Sequence, residues 1–366
     1  MFQFREAAPE DEDAILELAN YLNTLNLPPE RSFIHELLER SQSSFSGSPD
    51  FNPERHFLFV LENPAGQVVG TAMIHAQHGT YDEPHVFFRV LEEEHYADLR
   101  AEKQAEHHGV HMVHKMLHLG LTYDGPTELG GLVLHPNFRS HPEKLGRLLS
   151  LARFVFIAAF RSWFRDRLLA ELLPPLYKSP EGSTRSPLWD VLGHRFTGLS
   201  YEEADRLSRF NKEFIWRLFP VMPVHTSLLP EGVQEIIGRV GEPTKGAQKL
   251  LERIGFKYEH RIDPFDGGPH LEANTDQVTI IRNTRSYLVE AGSLAASAIP
   301  AIVATVSNQA PHFRAVWTPV QILESSPAKL RISSEAFHRL ELHNRPLAFD
   351  QQKLQVFMAR MDYPSK

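Results

Sequence analysis

The most constraining feature of this sequence is a compact apolar run, GGLVL at residues 130–134, which is followed at 142–165 by an apolar segment with helical spacing. A short apolar run next to glycine and proline is typical of a buried central strand, and the segment after it predicts a helix. The most apolar part, 148–164, contains Arg153 and Arg161 and falls short of the roughly 20 residues that span a bilayer. The sequence therefore predicts a buried strand followed by a buried helix, and no membrane span.

Strands and helices alternate on both sides of this pair. Apolar residues at helical spacing predict helices, and turn residues at 63–66 predict that two of the strands form a hairpin. The predicted strands are 2–5, 56–61, 68–76, 130–136 and 167–175, and the predicted helices include 15–22, 33–38, 142–165 and 186–196. The resulting order, βααβββαβα, is the plan of the GNAT acyltransferases. We therefore expect an α/β (α+β) fold with a mixed central sheet.

The chain has 366 residues, which predicts more than one packed unit. Residues 1–200 are expected to form the GNAT-like, acyl-CoA-binding domain. Residues 247–263 repeat the order of helix, glycine and aromatic strand, so 201–276 is interpreted as a second, degenerate GNAT-like half that contributes to the substrate pocket. Residues 277–366 alternate β-branched and polar residues and predict a small β-rich unit.

Composition narrows the class of function. The absence of cysteine excludes disulfides, zinc–thiolate sites and a cysteine acyl-enzyme intermediate. The formal net charge of −8 argues against general nucleic-acid binding, because phosphate recognition favours a basic surface. The first residues are acidic where a secretory signal would be basic and then apolar, so a cytoplasmic location is expected.

Several motifs resemble one particular family. The most specific is GFKYEHRIDPFDGGPHLEA at 255–273, and the others are LNTLNLP at 22–28, FRV at 88–90, ELGGLVLHPNFR at 128–139, SPLWDVLGHRF at 186–196 and IIGRV at 236–240. In this order they resemble the arginine N-succinyltransferases of bacterial arginine catabolism. The resemblance implies transfer of succinyl from succinyl-CoA to the α-amine of arginine or a similar basic amino acid. Family habit also implies a homodimer or an assembly with a related subunit.

The chain departs from the family pattern at several places. The loop at 139–146 keeps only Arg139 and Gly146 of the family's arginine and glycine loop, and Ser227 stands where the family's proposed catalytic histidine is expected. The segment 172–185 lacks the family's Met-Arg-Gly, and a histidine-rich stretch replaces another region. These departures motivate an alternative function, in which a catalytically lapsed relative serves as a binding or regulatory subunit.

The candidate coenzyme site follows the GNAT plan. Backbone N–H groups of a splayed central strand would contact the thioester and the pantetheine arm, and the N-terminus of the next helix would face the pyrophosphate. Leu132 also matches a coenzyme-binding position of the family. The candidates are Leu132, Val133, Leu134, Arg139, Lys144, Gly146 and Arg147. Alternatively, Ser140 and Glu143 form an S-x-x-E capping box that satisfies the helix N–H groups internally.

Three residues are candidates for proton transfer. Glu128 could accept the ammonium proton of the amine if burial raises its pKa, although a solvated carboxylate at a strand edge is an equal alternative. His225 could relay a proton, because histidine is the side chain most suited to proton transfer at neutral pH, and Ser227 occupies the aligned catalytic position. Direct attack of the amine on the thioester needs no covalent enzyme intermediate.

The substrate candidates are Arg89, Asp263 and Asp266. Arg89 could bind a carboxylate bidentately, or form a structural salt bridge. The two aspartates could hold a cationic side chain, but DPFDGGP also has the composition of a turn, and we favour the turn.

His107, His111, His114 and His118 would share one face if their segment were helical, and could then bind a metal. Because no carboxylate pattern accompanies these four histidines, we expect no metal site, and the only cofactor expected is succinyl-CoA or another acyl-CoA as co-substrate.

Overall fold

The computed structural model describes residues 1–21, 27–98, 109–180, 182, 184–208, 211–344 and 355–361. The strands are β1 Gln3–Glu6, β2 His56–Glu62, β3 Val68–His75, β4 His85–Asp98, β5 Gly109–Thr122, β6 Thr127–Leu134, β7 Arg167–Glu171, β8 Tyr177–Lys178, β9 Thr184–Arg185, β10 Val224–His225, β11 Lys257–Ile262, β12 Pro269–Asn274, β13 Arg285–Ala291, β14 Ile299–Val306, β15 Phe313–Leu323, β16 Lys329–Ile332 and β17 Gln355–Arg360. The α-helices are α1 Glu12–Ala19, α2 Arg31–Phe45, α3 Leu145–Ala159, α4 His194–Thr197, α5 Tyr201–Ser208, α6 Glu213–Leu218, α7 Glu231–Ile236, α8 Lys245–Ile254, α9 Thr279–Asn283 and α10 Ser334–Arg339.

The chain forms two compact units whose segments interleave along the sequence. The first unit comprises Met1–His78, Pro126–Leu168 and Ala273–Lys366, and the second comprises Gly79–Gly125 and Leu169–Glu272. This grouping differs from the contiguous segments 1–200, 201–276 and 277–366, because β1 pairs with β15 and joins the C-terminal strands to the N-terminal ones. A degenerate GNAT-like half at 201–276 stays a prediction.

The first unit is built on a mixed sheet with the order β6-β3-β2-β1-β15-β14-β17-β13-β16. Its pairs are antiparallel except β13 with β16. Because β16 also pairs with β15, the last five strands close into a small barrel without a free edge. The predictions of a mixed central sheet and of a β-rich C-terminal region are confirmed.

Helix α3 lies deep in the first unit. Every residue from Leu148 to Ile157 is buried, as expected of a helix that is apolar nearly all round. On another part of the unit, apolar residues of α1 and α2 pack with those of β2 and β3. The element order from β1 through α3 to β7 follows the GNAT plan, with the hairpin β4–β5 inserted between β3 and β6.

Helix α3 is shorter than the predicted segment 142–165. It begins at Leu145, because Lys144 has a left-handed backbone (φ 51°), and it ends at Ala159. No helix among the described residues has the length and apolarity needed to cross a membrane.

The second unit has the strand order β10-β5-β4-β11-β12-β7. Strands β4 and β5 form a long antiparallel hairpin that pairs from His85 with Thr122 to Asp98 with Gly109. The hydrophobic core of the second unit is centred on Trp189, Phe219 and Phe265. The predicted helix 186–196 is found as a π-helical turn, Trp189–Gly193, that continues into α4.

Candidate active site

Strand β6 carries a β-bulge in the first unit. Thr71 of β3 pairs with Val133, but Met73 pairs with Gly130, so two residues of β6 lie opposite one residue of β3. Gly131 has a positive φ of 54°, and a Cβ there would lie 2.7 Å from Met73 Cγ. The bulge therefore depends on glycine at this position, and it interrupts the regular pairing of β6 with β3 at Leu132.

A buried arginine supports the bulge from α3. Arg153 is 4% exposed, and its Nη1 donates to the carbonyl oxygens of Met73 at 3.3 Å and Gly130 at 3.4 Å. Burial lowers the pKa of Arg153 to about 9, so its guanidinium stays protonated at neutral pH. A positive charge placed against these carbonyls holds β3 and β6 on either side of the extra residue.

The N-terminus of α3 follows the end of β6. In the described part of the chain the residue that precedes this helix, Lys144, provides no side-chain cap. The proposed capping box of Ser140 and Glu143 is wrong, because both residues lie before the helix, and the Glu143 N–H donates to His141 Nδ1 instead. The first turn therefore keeps the character of an anion-binding end.

The remaining coenzyme candidates surround this helix end. Arg139 is exposed, and its Nε donates to the Leu134 carbonyl oxygen at 3.1 Å. Gly146 has open space where a Cβ would be. The guanidinium of Arg147 lies over the Trp317 ring at 5.1 Å. The first unit thus brings the bulge, the helix end and these basic side chains together.

Glu128 lies at the other end of β6, between two histidines. Its Oε2 is 2.9 Å from His78 Nδ1 and 3.4 Å from His75 Nδ1, and the residue is 2% exposed. The His75 ring in turn stacks on His56 with centroids 4.0 Å apart. The solvated alternative for Glu128 is therefore wrong.

The electrostatics of Glu128 differ from the prediction. Burial by itself raises its pKa, but the charges and hydrogen bonds of His78 and His75 outweigh burial and lower the pKa well below the usual value. Burial lowers the pKa of His56 to about 2, so that ring is neutral. Glu128 is therefore an ionised partner that orients a histidine, which corrects its predicted role as a carboxyl of raised pKa.

His75 and His78 were missed by the sequence analysis. A signal existed, because the hairpin strand 68–76 and the strand containing 130–136 are neighbours, and antiparallel pairing places His75 opposite Glu128. The register between these two strands, however, could not be read from the sequence, because the bulge shifts it by one residue.

His225 and Ser227 lie in the second unit, whereas Glu128 lies in the first. His225 is half-buried at the end of β10, pairs with Met116 of β5, and meets the His114 ring edge to face at 5.8 Å. Ser227 is exposed on the following turn. Their catalytic roles stay predictions.

The histidine-rich stretch is not helical. His111, His114 and His118 lie on strand β5, where side chains alternate between the two faces, and His107 lies outside the described residues. His111 stacks on Tyr96, and His114 meets His95. The prediction that these histidines share one face of a helix is therefore wrong.

The two candidate aspartates form a turn. Asp263 Oδ1 accepts from the N–H groups of Phe265 at 2.7 Å and Asp266 at 3.1 Å, and Asp266 Oδ1 accepts from Gly268 N–H at 2.7 Å. Gly267 supplies the positive φ of 82°. The favoured interpretation as a turn is confirmed. Arg89, the third substrate candidate, is exposed on β4, in register with Arg261 of β11.

A second cluster of acids and histidines surrounds this turn. His85 Nε2 and His270 Nε2 each lie 3.3 Å from Glu171 Oε1. Burial, followed by the charge of Glu171, raises the pKa of Asp263 to about 7. Burial, followed by the charge of Asp263, raises the pKa of Asp266 well above its ordinary value. Sequence analysis singled out Asp263 and Asp266 but not the other three.

Comparison with known proteins identifies the family. A family model described as arginine N-succinyltransferase beta subunit matches residues 2–280. Arginine N-succinyltransferase subunit beta from Pseudomonas aeruginosa is 34% identical over 302 residues, which are 82% of this chain and 84% of that protein. An arginine N-succinyltransferase from Escherichia coli is 32% identical over 349 residues, which are 94% of this chain and 95% of that protein.

A solved structure agrees with these relatives. Arginine/ornithine succinyltransferase subunit AI from Pseudomonas aeruginosa matches with a TM-score of 0.77 at 26% sequence identity, covering 99% of both chains. The motifs quoted above, the element order and the overall match lead to one conclusion: this chain belongs to the arginine N-succinyltransferase family.

Proposed function

We propose that this protein transfers an acyl group from an acyl-CoA thioester to an amine, with succinyl-CoA as donor and the α-amine of arginine or a similar basic amino acid as acceptor. The observation that carries the proposal is the bulge in β6 followed by the uncapped N-terminus of α3, in a chain of this family. A bulge and a helix end placed in this order suit a thioester arm and a pyrophosphate.

The coenzyme would be held mainly by backbone groups. The extra residue of the bulge interrupts the pairing of β6 with β3 at Leu132, whereas Val133 and Leu134 pair with Thr71 and Gly70. Backbone N–H groups of Leu132, Val133 and Leu134 would donate to the thioester oxygen and the pantetheine amides. The first turn of α3 offers N–H groups and a positive dipole end to the pyrophosphate. The basic side chains in reach of this end are Arg139, Lys144 and Arg147, and Gly146 leaves room for the phosphates.

Proton transfer would use the pair formed by Glu128 and His78. The ammonium must lose one proton before its nitrogen attacks the carbonyl carbon. A C–N bond then forms, the C–S bond breaks, the nitrogen releases a second proton, and the thiolate takes up a proton. With Nδ1 of His78 held by the Glu128 carboxylate, the ring accepts the amine proton at Nε2. His225 would supply the proton to the thiolate, or the Ser227 hydroxyl would relay to the thiolate the second proton that the amine nitrogen releases.

Arg89 is proposed to bind the succinyl carboxylate, because its guanidinium is exposed on β4. Asp263 and Asp266 already accept backbone hydrogen bonds through one oxygen each. Their binding of a cationic side chain stays a prediction.

The relatives' names also bear on assembly. One relative is named a beta subunit and one solved structure a subunit AI. We propose that this chain likewise forms a homodimer or assembles with a related subunit, in the cytoplasm. Light scattering of the purified chain, alone and with a related subunit, should give a mass above 41.8 kDa.

A thiol-release assay tests the activity. Succinyl-CoA and acetyl-CoA are each combined with arginine, ornithine and lysine, and free thiol is followed. We expect the fastest release with succinyl-CoA and arginine or ornithine. If no pair releases thiol, and none of the acyl-CoAs or free coenzyme A raises the melting temperature, the alternative of a lapsed binding or regulatory subunit is favoured.

A further inference from the structure

The second cluster lies within the second unit, and Asp263 is its one member with a role predicted above, that of binding the cationic side chain of the substrate. Its members come from four places in the sequence: His85 begins β4, Glu171 ends β7, Asp263 begins the turn after β11, and His270 lies in β12. His85 is 2% exposed and His270 is 0% exposed, so these imidazoles are held inside the unit. Their rings stack with centroids 5.2 Å apart.

The potential ligand atoms converge. Both histidine Nε2 atoms lie 3.3 Å from the same oxygen of Glu171, and one ligand atom each of Glu171, Asp263 and His270 lie within 4.8 Å of one another. Nitrogen and oxygen ligands around a tetrahedral zinc ion are about 3.4 Å apart, because each ligand lies about 2.1 Å from the metal. Glu171, Asp263 and His270 are therefore close enough to share one ion after small movements. His85, which lies on Glu171 Oε1 as His270 does, would have to move further to become the fourth ligand.

We propose that His85, Glu171, Asp263 and His270 bind a divalent transition-metal ion of the Zn²⁺ type. Two imidazoles and two carboxylates suit borderline metals such as Zn²⁺, Co²⁺ and Ni²⁺ better than Mg²⁺ or Ca²⁺, which prefer all-oxygen ligands. Asp263 Oδ1 is held by two backbone N–H groups, which leaves Oδ2 as its ligand atom. The ion would fasten β4, β7, β12 and the turn to one another.

The charges favour a cation here. Burial and, after it, repulsion by the Glu171 carboxylate raise the pKa of Asp263, and burial and repulsion by Asp263 raise the pKa of the neighbouring Asp266. A divalent ion would relieve the repulsion and keep both ligand carboxylates ionised. The site is a structural proposal that goes beyond the proposed activity, which needs no metal.

The test is metal binding by the whole purified chain. Protein stripped with a chelator is titrated with Co²⁺ and followed by its visible absorption, and Zn²⁺ is then added in competition. We expect about one ion per chain, the strong visible bands of tetrahedral Co²⁺, displacement of Co²⁺ by Zn²⁺, and a higher melting temperature with Zn²⁺. The absence of both binding and stabilisation in folded wild-type protein would overturn the proposal.

Variants locate the ion. His270→Gln and His85→Gln should each weaken Zn²⁺ affinity at least tenfold, about the smallest loss expected when an ordinary metal ligand is removed. His111→Gln is the matched control, because His111 Nε2 also lies 3.3 Å from a glutamate oxygen, that of Glu94, but at the surface. Unchanged affinity in both cluster variants would overturn the proposal.

If a variant fails to fold, the Co²⁺ titration of the wild-type chain still decides the proposal. One further result would also overturn the proposal: arginine, but not Zn²⁺, raises the melting temperature of the wild-type chain, and His270→Gln abolishes the effect of arginine. The cluster would then hold the cationic side chain of an amino acid.

Discussion

The two units each bury carboxylates against histidines, yet the pKa values move in opposite directions. In the first unit one carboxylate, Glu128, lies between His75 and His78, and its pKa is lowered. In the second unit Asp263 lies close to other carboxylates, and its pKa is raised to about 7. The difference teaches that the balance of charges in a cluster, rather than burial alone, decides what the cluster can do. The first is suited to orienting a base, and the second to binding a cation.

The largest expected effect comes from the carboxylate of the first cluster. Glu128→Gln removes the charge that orients His78, so kcat should fall by about 10²- to 10⁴-fold, the usual range for loss of acid–base catalysis. Glu94→Gln is the control, because Glu94 also lies beside a histidine but on the exposed hairpin. Steady-state kinetics of both variants check this prediction. A fall in kcat of less than threefold in Glu128→Gln would rule out Glu128 and His78 as the catalytic base.

The next comparison uses one glycine from each unit. Gly131 in the bulge and Gly267 in the turn both have positive φ, so alanine at either position should cost about 1–2 kcal/mol of unfolding free energy. Only Gly131→Ala also disturbs the bulge, where the new Cβ meets Met73. We expect a raised KM for acyl-CoA in Gly131→Ala alone. If the KM for acyl-CoA is the same in both variants, the bulge does not contribute to coenzyme binding.

The third comparison uses pH. The folded pKa of Glu128 lies below its ordinary value of 4.5, so its stabilisation is present above about pH 4.5 and is lost as the pH falls further. Asp263 has a folded pKa of about 7 against an ordinary 3.8, so its contribution to stability falls as the pH rises through this window.

The melting temperatures of metal-free Glu128→Gln and Asp263→Asn, measured from pH 3 to 8, should therefore differ from wild type in opposite ways. Glu128→Gln should lose part of the acid sensitivity, and Asp263→Asn should lose part of the decline between about pH 4 and 7. The same slope for both variants would contradict the contrast between the two clusters.

The smallest effects concern two residues with left-handed backbones, Lys144 in the first unit and His260 in the second. Glycine at either position relieves strain but gains freedom in the unfolded state, so each variant should be stabilised by less than about 1 kcal/mol. Lys144→Gly also removes a positive charge beside the end of α3, and should raise the KM for acyl-CoA about twofold. Denaturant unfolding and kinetics check both effects, and a change in KM for His260→Gly would contradict this account.

Much of the fold could be predicted because periodic apolar residues mark its buried elements. Strands β2, β3 and β6 have compact apolar runs, and GG at 130–131 points to the irregular backbone of the bulge. The hairpin β4–β5 could not be predicted, because most of its outer half is exposed on both faces and so lacks alternation. The start of α3 was misplaced because nothing in the sequence marks Lys144 for a left-handed backbone.

The sites were harder to predict than the fold. Asp263 and Asp266 were found because one local motif contains them, and Glu128 because it precedes the central strand. His85, Glu171 and His270 are far apart in the sequence and meet only because β4, β11, β12 and β7 are neighbours in the second unit. His78 depends on a pairing register that no local pattern fixes.

The most direct test of the central claim is mass spectrometry of the reaction between succinyl-CoA and arginine. We predict that the wild-type protein converts arginine to its N-succinyl derivative with stoichiometric release of coenzyme A, and that Glu128→Gln forms the same product at least about a hundred times more slowly. If the folded wild-type protein leaves both arginine and thioester unchanged, the acyl transfer proposed for the bulged strand and its helix is contradicted.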